Sequence, residues 1–318
     1  MDPIESRLPS SLEQHLVDEL LRDRKRDRRW RIIRFCVMFG TFIGLFVVLL
    51  VAGRPEGGTA TPPGGRYAAL VRMEGTISPA DGINAARFNP VLADAFADTN
   101  AAGVVVVINS PGGTPVQSSL IHDRLVQLRK QYPQRRLIVV GEDMLTSGAY
   151  FIAVAAETIY VNPSSLTGSI GVVARNFGFV EAMKKIGVER RTQTAGDRKD
   201  QLDPFAPETE ADREKLATIL TGMHQHFISV VKEGRGAKLR GSDAELFSGD
   251  FWLGTRAVEL GLVDGLGSLA EVLDREFQVT RVREFEPAES WLTRIVRGAR
   301  NEMRAFVQVA EPFVLLPY

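Results

Sequence analysis

The run Val104-Val105-Val106-Val107-Ile108 constrains the fold more than any other stretch of this chain. β-Branched residues in unbroken succession suit a strand, and the lack of alternating polar residues requires that strand to be buried on both faces. Neighbouring segments continue the pattern. Strands are predicted at Ala68 to Arg72, Gly103 to Asn109, Arg136 to Gly141 and Thr158 to Asn162, with helices over Asn84 to Phe96, Val116 to Gln131 and Ser147 to Ala155. Further helices are expected over 180–186, 208–234 and 254–260, and Ala257 to Asp264 reads as helix, glycine stop and short strand. The alternation defines an α/β fold.

At 318 residues with no formal net charge, the chain can bury a sizeable core but sets up no global field to recruit nucleic acid or anionic substrates. Its charge is unevenly placed. Arg22, Arg24, Lys25, Arg26, Arg28, Arg29, Arg31 and Arg34 precede Phe35 to Gly53, a run without a charge. At about 1.5 Å per residue that run spans roughly 28 Å, near the hydrocarbon thickness of a bilayer. It reads as a transmembrane anchor, in preference to a buried core helix or a cleaved signal peptide. The basic flank is expected in the cytoplasm, with the following domain across the membrane.

The expected organisation is a basic cytoplasmic lead (1–34, with a short helix in Ser11 to Leu21), an anchor (35–53), a Pro/Gly linker (54–66), a folded body (67–280) and a C-terminal tail (281–318). In the tail, Trp291, Leu292, Ile295, Val296, Ala299 and Met303 recur at helical spacing between arginines. A helix lying on a membrane surface and one packed on protein both fit this pattern. Phe313 to Tyr318 is apolar enough to occupy a groove. The single cysteine, Cys36, lies in the expected span and founds no disulfide framework.

Ser147 stands between a charged turn, Gly141-Glu142-Asp143, and the apolar run Phe151 to Ala156. A strand-to-helix junction there presents a hydroxyl with backbone N–H groups close behind it, as a nucleophile elbow does. Such a hydroxyl needs a neighbouring base. Of the four histidines, His15 precedes the expected span, His122 reads as structural, and His224 and His226 point to different helix faces. Metal-ligand spacing and phosphate-cradling glycine loops are not apparent, and no cofactor is expected. Lysine remains, since burial lowers its pKa and frees it to act as a base. Lys184 and Lys185 suit the end of a helix. Lys199 lies in the loop Ala195 to Asp200, where spacing alone leaves a solvated charge run and a catalytic base both open. Asn109-Ser110-Pro111-Gly112-Gly113 reads as a turn whose amides can face an oxyanion, or as an ordinary tight turn. Ser169, among the glycines of Leu166 to Val172, suits either orientation of a lysine or a helix cap.

Together these segments resemble the signal peptide peptidase A (SppA) family of membrane-bound serine peptidases, in its short, single-core form. The matching pieces are Asn109 to Gly113, Thr146 to Tyr150, Thr167 to Val172, Gly196 to Asp200 and Ala257 to Asp264, in family order over about 67–280. Two positions depart from the family pattern: Ala149, where a glycine is common, and Thr146, where a smaller residue is frequent. The resemblance implies a Clp-protease/crotonase-like fold and a Ser–Lys dyad. Ser147 matches the nucleophile, Lys199 the general base, Ser169 the hydroxyl that positions it, and Gly113 an oxyanion donor, with Gly148 a second by its place after the nucleophile. It also implies peptide substrates such as remnant signal peptides, a bacterial inner-membrane location with the catalytic domain outside the cytoplasm, and a homo-oligomeric ring or dome. A regulatory protease with a dedicated substrate and a catalytically inactive scaffold of the same fold are the alternatives.

Overall fold

The valine run lies in the middle of an eight-stranded sheet, whose strands in spatial order are Phe251–Leu253, Leu166–Gly168, Leu137–Thr146, Ala101–Ser110, Tyr67–Glu74 and Val282–Glu284, with Thr158–Val161 also on Leu137–Thr146 and Gly265–Leu266 on Thr158–Val161. The computed structural model describes residues 29–46, 65–80 and 82–287. In chain order the body contains β1 (Tyr67–Glu74), α2 (Ala85–Ala97), β2 (Ala101–Ser110), α3 (Pro115–Gln131), β3 (Leu137–Thr146), α4 (Gly148–Ala153), β4 (Thr158–Val161) and β5 (Leu166–Gly168). There follow α5 (Val180–Ile186), α6 (Glu210–Arg235), α7 (Asp243–Leu246), β6 (Phe251–Leu253), α8 (Gly254–Glu259), β7 (Gly265–Leu266), α9 (Leu269–Phe277) and β8 (Val282–Glu284). Every strand pair is parallel except β5 with β6.

β2 is buried on both faces, as its composition requires. Val104, Val106 and Ile108 join the core formed with α2, α3 and α4, while Val105 and Val107 pack with Val272, Leu273 and Phe277 of α9. The period-two alternation of a strand divides one apolar run between two cores.

Two expectations are corrected. The segment Gly141-Glu142-Asp143 is not a turn: β3 continues through it to Thr146. Asn109 holds it there, its Oδ1 accepting from the Met144 N–H at 3.1 Å and its Nδ2 donating to Asp143 at 3.0 Å. Past that point β3 pairs with β5, and Glu142 finds Arg72 at 2.8 Å. The short strand expected at Leu262 to Asp264 lies instead at Gly265–Leu266: the Leu262 and Val263 N–H groups turn back to the Ala257 carbonyl, and the Leu262 carbonyl accepts from Tyr150.

The N-terminal helix, α1, is exposed over 29–46. No helix among the described residues is long and apolar enough to cross a membrane. The rest of the expected span (47–53), the lead through residue 28, the linker through residue 64 and the tail from residue 288 lie outside the described residues.

Candidate active site

Parallel pairing of β3 with β5 sets Thr146 opposite Gly168, so the residues that leave the two strand ends side by side are Ser147 and Ser169. Each leaves with a left-handed backbone, φ 53° at both serines. At Ser147 ψ is −124°, and α4 begins at the next residue. A non-glycine residue in such a region costs about 1–3 kcal/mol and persists only where its surroundings over-determine it. Here the Ser147 N–H donates to the Gly168 carbonyl at 2.8 Å, and its own carbonyl accepts from Phe151 at 3.0 Å. Ser169 is held by its N–H, donated to the Asp250 carbonyl at 2.7 Å.

The turn after β2 closes against this elbow. Ile77 straddles it, its N–H donating to Gly112 and its carbonyl accepting from Thr114, both at 2.9 Å. Gly112 has φ +97°, and a Cβ there would stand 2.8 Å from both the Gly148 nitrogen and Ser147 Cβ. A Cβ on Gly148 would collide with Ser118 Oγ and lie 3.3 Å from the Gly113 nitrogen. The two expected oxyanion donors, Gly113 and Gly148, are therefore neighbours. Glycine at 112 and 148 is what permits the approach.

Ser147, Gly148, Gly113 and Ser169 line one cavity of about 510 Å³. Lys199 does not line it: the residue sits exposed in the turn over 195–200. No residue from 171 to 211 is buried, and α5 within that excursion buries none of its side chains. The base expected from the family pattern is thus the one residue that the described arrangement leaves apart from the others.

The cavity also holds residues that sequence reasoning passed over. Phe151, Met223 and Phe227 give it an apolar wall, and Arg175, His224 and His226 are its titratable groups. Residues two apart on a helix diverge by about 200°, which argued against shared metal ligation by the two histidines. Both nevertheless reach the cavity. His226 packs on Phe151 with ring centroids 5.7 Å apart, and His224 Nε2 lies 3.0 Å from the Ile170 carbonyl. No local signal marks them, because their relevance depends on where α6 packs. Among the described residues, no group of His, Cys, Asp and Glu side chains could hold a metal ion.

The segment Ala257 to Asp264 supports the elbow from behind. Tyr150, one turn beyond Ser147, donates its hydroxyl to the Leu262 carbonyl at 2.7 Å. Arg235, buried on α6, donates to the Gly261 carbonyl at 3.0 Å and 2.9 Å and to Asp264 at 2.7 Å. Burial pushes the Asp264 carboxyl up, but hydrogen bonds from Arg235 and Lys238 outweigh it and hold the group below the usual carboxylate range. Burial pushes the Tyr150 phenol far up, so it stays a neutral donor.

A strained serine entering a helix, with paired glycine amides at its back, is how serine peptidases address a carbonyl carbon. Residues 129–283 match the sequence model of Peptidase family S49. The chain is 46% identical over 209 residues to a Brucella melitensis protein named Na(+)/H(+) antiporter NhaA, covering 65% of this chain and 28% of that one. A Methanocaldococcus jannaschii protein named as a protease is 31% identical over 199 residues, 63% of each chain. An Enterococcus faecium protein named as signal peptide peptidase SppA is 29% identical over 178 residues, 56% of this chain and 51% of that one. The chain thus spans between 28% and 63% of the length of these relatives. Among solved structures, a membrane-bound stomatin-specific protease superposes with a TM-score of 0.45 at 14% identity, over 71% of this chain and all of that one.

Proposed function

We propose that this chain is a membrane-anchored serine endopeptidase with a Clp-protease/crotonase-like core and a Ser147–Lys199 dyad. The observation that carries the reading is the backbone of Ser147, φ 53° and ψ −124°, in the lining of the cavity. Lys199 takes the hydroxyl proton as Ser147 Oγ bonds to a peptide carbonyl carbon. The amides of Gly113 and Gly148 hold the resulting oxyanion, and Ser169 orients the lysine. Collapse of the tetrahedral adduct breaks the C–N bond, with the proton passing to the leaving amine. Water then hydrolyses the ester and frees Ser147.

In this mechanism Lys199 reaches Ser147 when the excursion between Gly171 and α6 closes over the cavity. Its near end supports that movement, since Val172, Val173 and Arg175 already line the cavity. Exposed Phe177, Ile186 and Val188, at 76%, 73% and 53%, supply apolar surface for substrate or a second copy to cover. The apolar wall suits extended apolar peptides, remnant signal peptides among them, and the E. faecium relative's name agrees. The exposed helix over 29–46, uncharged from Phe35 onward, suits the start of an anchor that continues through residue 53, with the catalytic domain outside the cytoplasm of a bacterial inner membrane. Assembly into a homo-oligomer completes the reading.

The test uses the full chain in detergent or vesicles with an apolar peptide amide. Ser147→Ala and Lys199→Ala are each expected to lower kcat by about a thousand-fold or more. Near wild-type turnover by Ser147→Ala refutes the nucleophile, and by Lys199→Ala the base. Covalent labelling of wild type, and not Ser147→Ala, by a serine-reactive probe separates a peptidase from an inactive scaffold.

A further inference from the structure

Ile170 is the last buried residue before the chain leaves the core, and burial does not resume until Asp212 on α6. Both the base of the proposed dyad and the hydroxyl proposed to orient it depend on this excursion, Lys199 within it and Ser169 at its root. The root is a tight loop. Gly171 N–H donates to the Ser169 carbonyl at 3.0 Å, closing a three-residue turn around Ile170. Asp250 takes the Ser169 N–H on one side, and a Cβ on Gly171 would stand 2.9 Å from Gly249 Cα on another. The Ile170 carbonyl faces α6 and meets half-buried His224 Nε2 at 3.0 Å.

That contact joins the two ends of the excursion, because α6 is the helix on which the chain returns. We propose that His224 is a positioning residue, whose hydrogen bond to the Ile170 carbonyl clamps the neck of the excursion and fixes Ser169 beside Ser147. The catalytic part of this assignment rests on the peptidase reading above. A carbonyl only accepts, so Nε2 carries the proton, in the neutral tautomer or in the imidazolium alike. The neighbouring His226 differs: it is exposed and rests its ring on Phe151.

The experiment compares His224→Phe, which keeps bulk without the donor, with His224→Gln, whose amide nitrogen reaches the same place. His224→Phe is expected to lower kcat by about three- to ten-fold, the size of one neutral hydrogen bond. His224→Gln restores most of that rate and leaves the shape of the pH–rate profile unchanged. In a double-mutant cycle the effect of His224→Phe largely disappears in a Ser169→Ala background, as expected of a residue acting through that hydroxyl. Equal rates for wild type and His224→Phe, no rescue by glutamine, or an additive cycle each overturn the catalytic assignment. Hydrogen exchange reads the clamp without activity: amides from Ser169 to Arg175 exchange faster in His224→Phe than in His224→Gln. An inactive wild type with that exchange difference overturns the peptidase reading and leaves the clamp standing. Identical exchange in the two variants overturns the clamp itself.

Discussion

Gly148→Ala separates the geometry of the site from the stability of the fold. An added methyl collides with Ser118 Oγ and stands 3.3 Å from the Gly113 nitrogen and 3.4 Å from Ile77 Cδ1. The first obstacle is the end of a small side chain. Rotating Ser118 away forfeits its hydrogen bond to the Thr114 carbonyl, at 3.1 Å, for a loss of about 1 kcal/mol. Alanine in place of glycine within a helix returns up to about 1 kcal/mol. The two offset, so the melting temperature should move by no more than about 4 °C for a domain of this size. Activity should not be spared. The methyl presses toward the Gly113 amide, and losing one oxyanion donor costs about a hundred- to a thousand-fold in kcat. The assay pairs thermal melting with turnover of an apolar peptide amide, for Gly148→Ala and for Gly148→Ala with Ser118→Ala. Removing Ser118 Oγ clears the closest contact and should recover at least about ten-fold in rate, the equivalent of 1.4 kcal/mol. Wild-type turnover in the single variant, or no recovery in the double, would refute the packing argument.

Tyr150→Phe leaves the buried Leu262 carbonyl without its donor, so a loss of about 1–3 kcal/mol is expected. At about 2–4 °C per kcal/mol the fall is visible by calorimetry, and an unchanged melting temperature counts against the support assigned to that bond. Asp264 carries a pH signature. Its folded pKa is depressed, so its contribution is present above the unfolded value near about 3.9 and is lost as pH falls through the folded one. Wild type should therefore lose more stability than Asp264→Asn between pH of about 5 and 2, and parallel stability curves would contradict the linkage. His226→Ala, which removes a cavity wall, should change peptide preference while kcat on a small ester stays within about ten-fold. A collapse as large as that expected of Lys199→Ala would make an imidazole the base.

The strands and helices were readable because their signals are local. Valines at 104 to 107 announce a doubly buried strand whatever packs on it, and the step from Thr146 to Gly148 announces an elbow. Charge misled at Glu142 and Asp143, where a long-range pairing with β5 and the Asn109 side chain keep charged residues in a strand. The place of the two histidines in the cavity was not legible for a related reason. Angular position around a helix shows which residues diverge, but a cavity wrapping the helix can still receive both.

From its own residues the sequence determined an α/β core, a strained serine at a strand end, and glycines where backbones must touch. These follow from side-chain shape and backbone freedom, which act over a few residues. The tertiary structure alone decided that Ser147 and Ser169 leave adjacent strands together and that Tyr150 finds a carbonyl 112 residues away. It likewise set His224 on the Ile170 carbonyl and left Lys199 outside the cavity. Contacts of that kind depend on how distant elements share one core, and no local propensity specifies them.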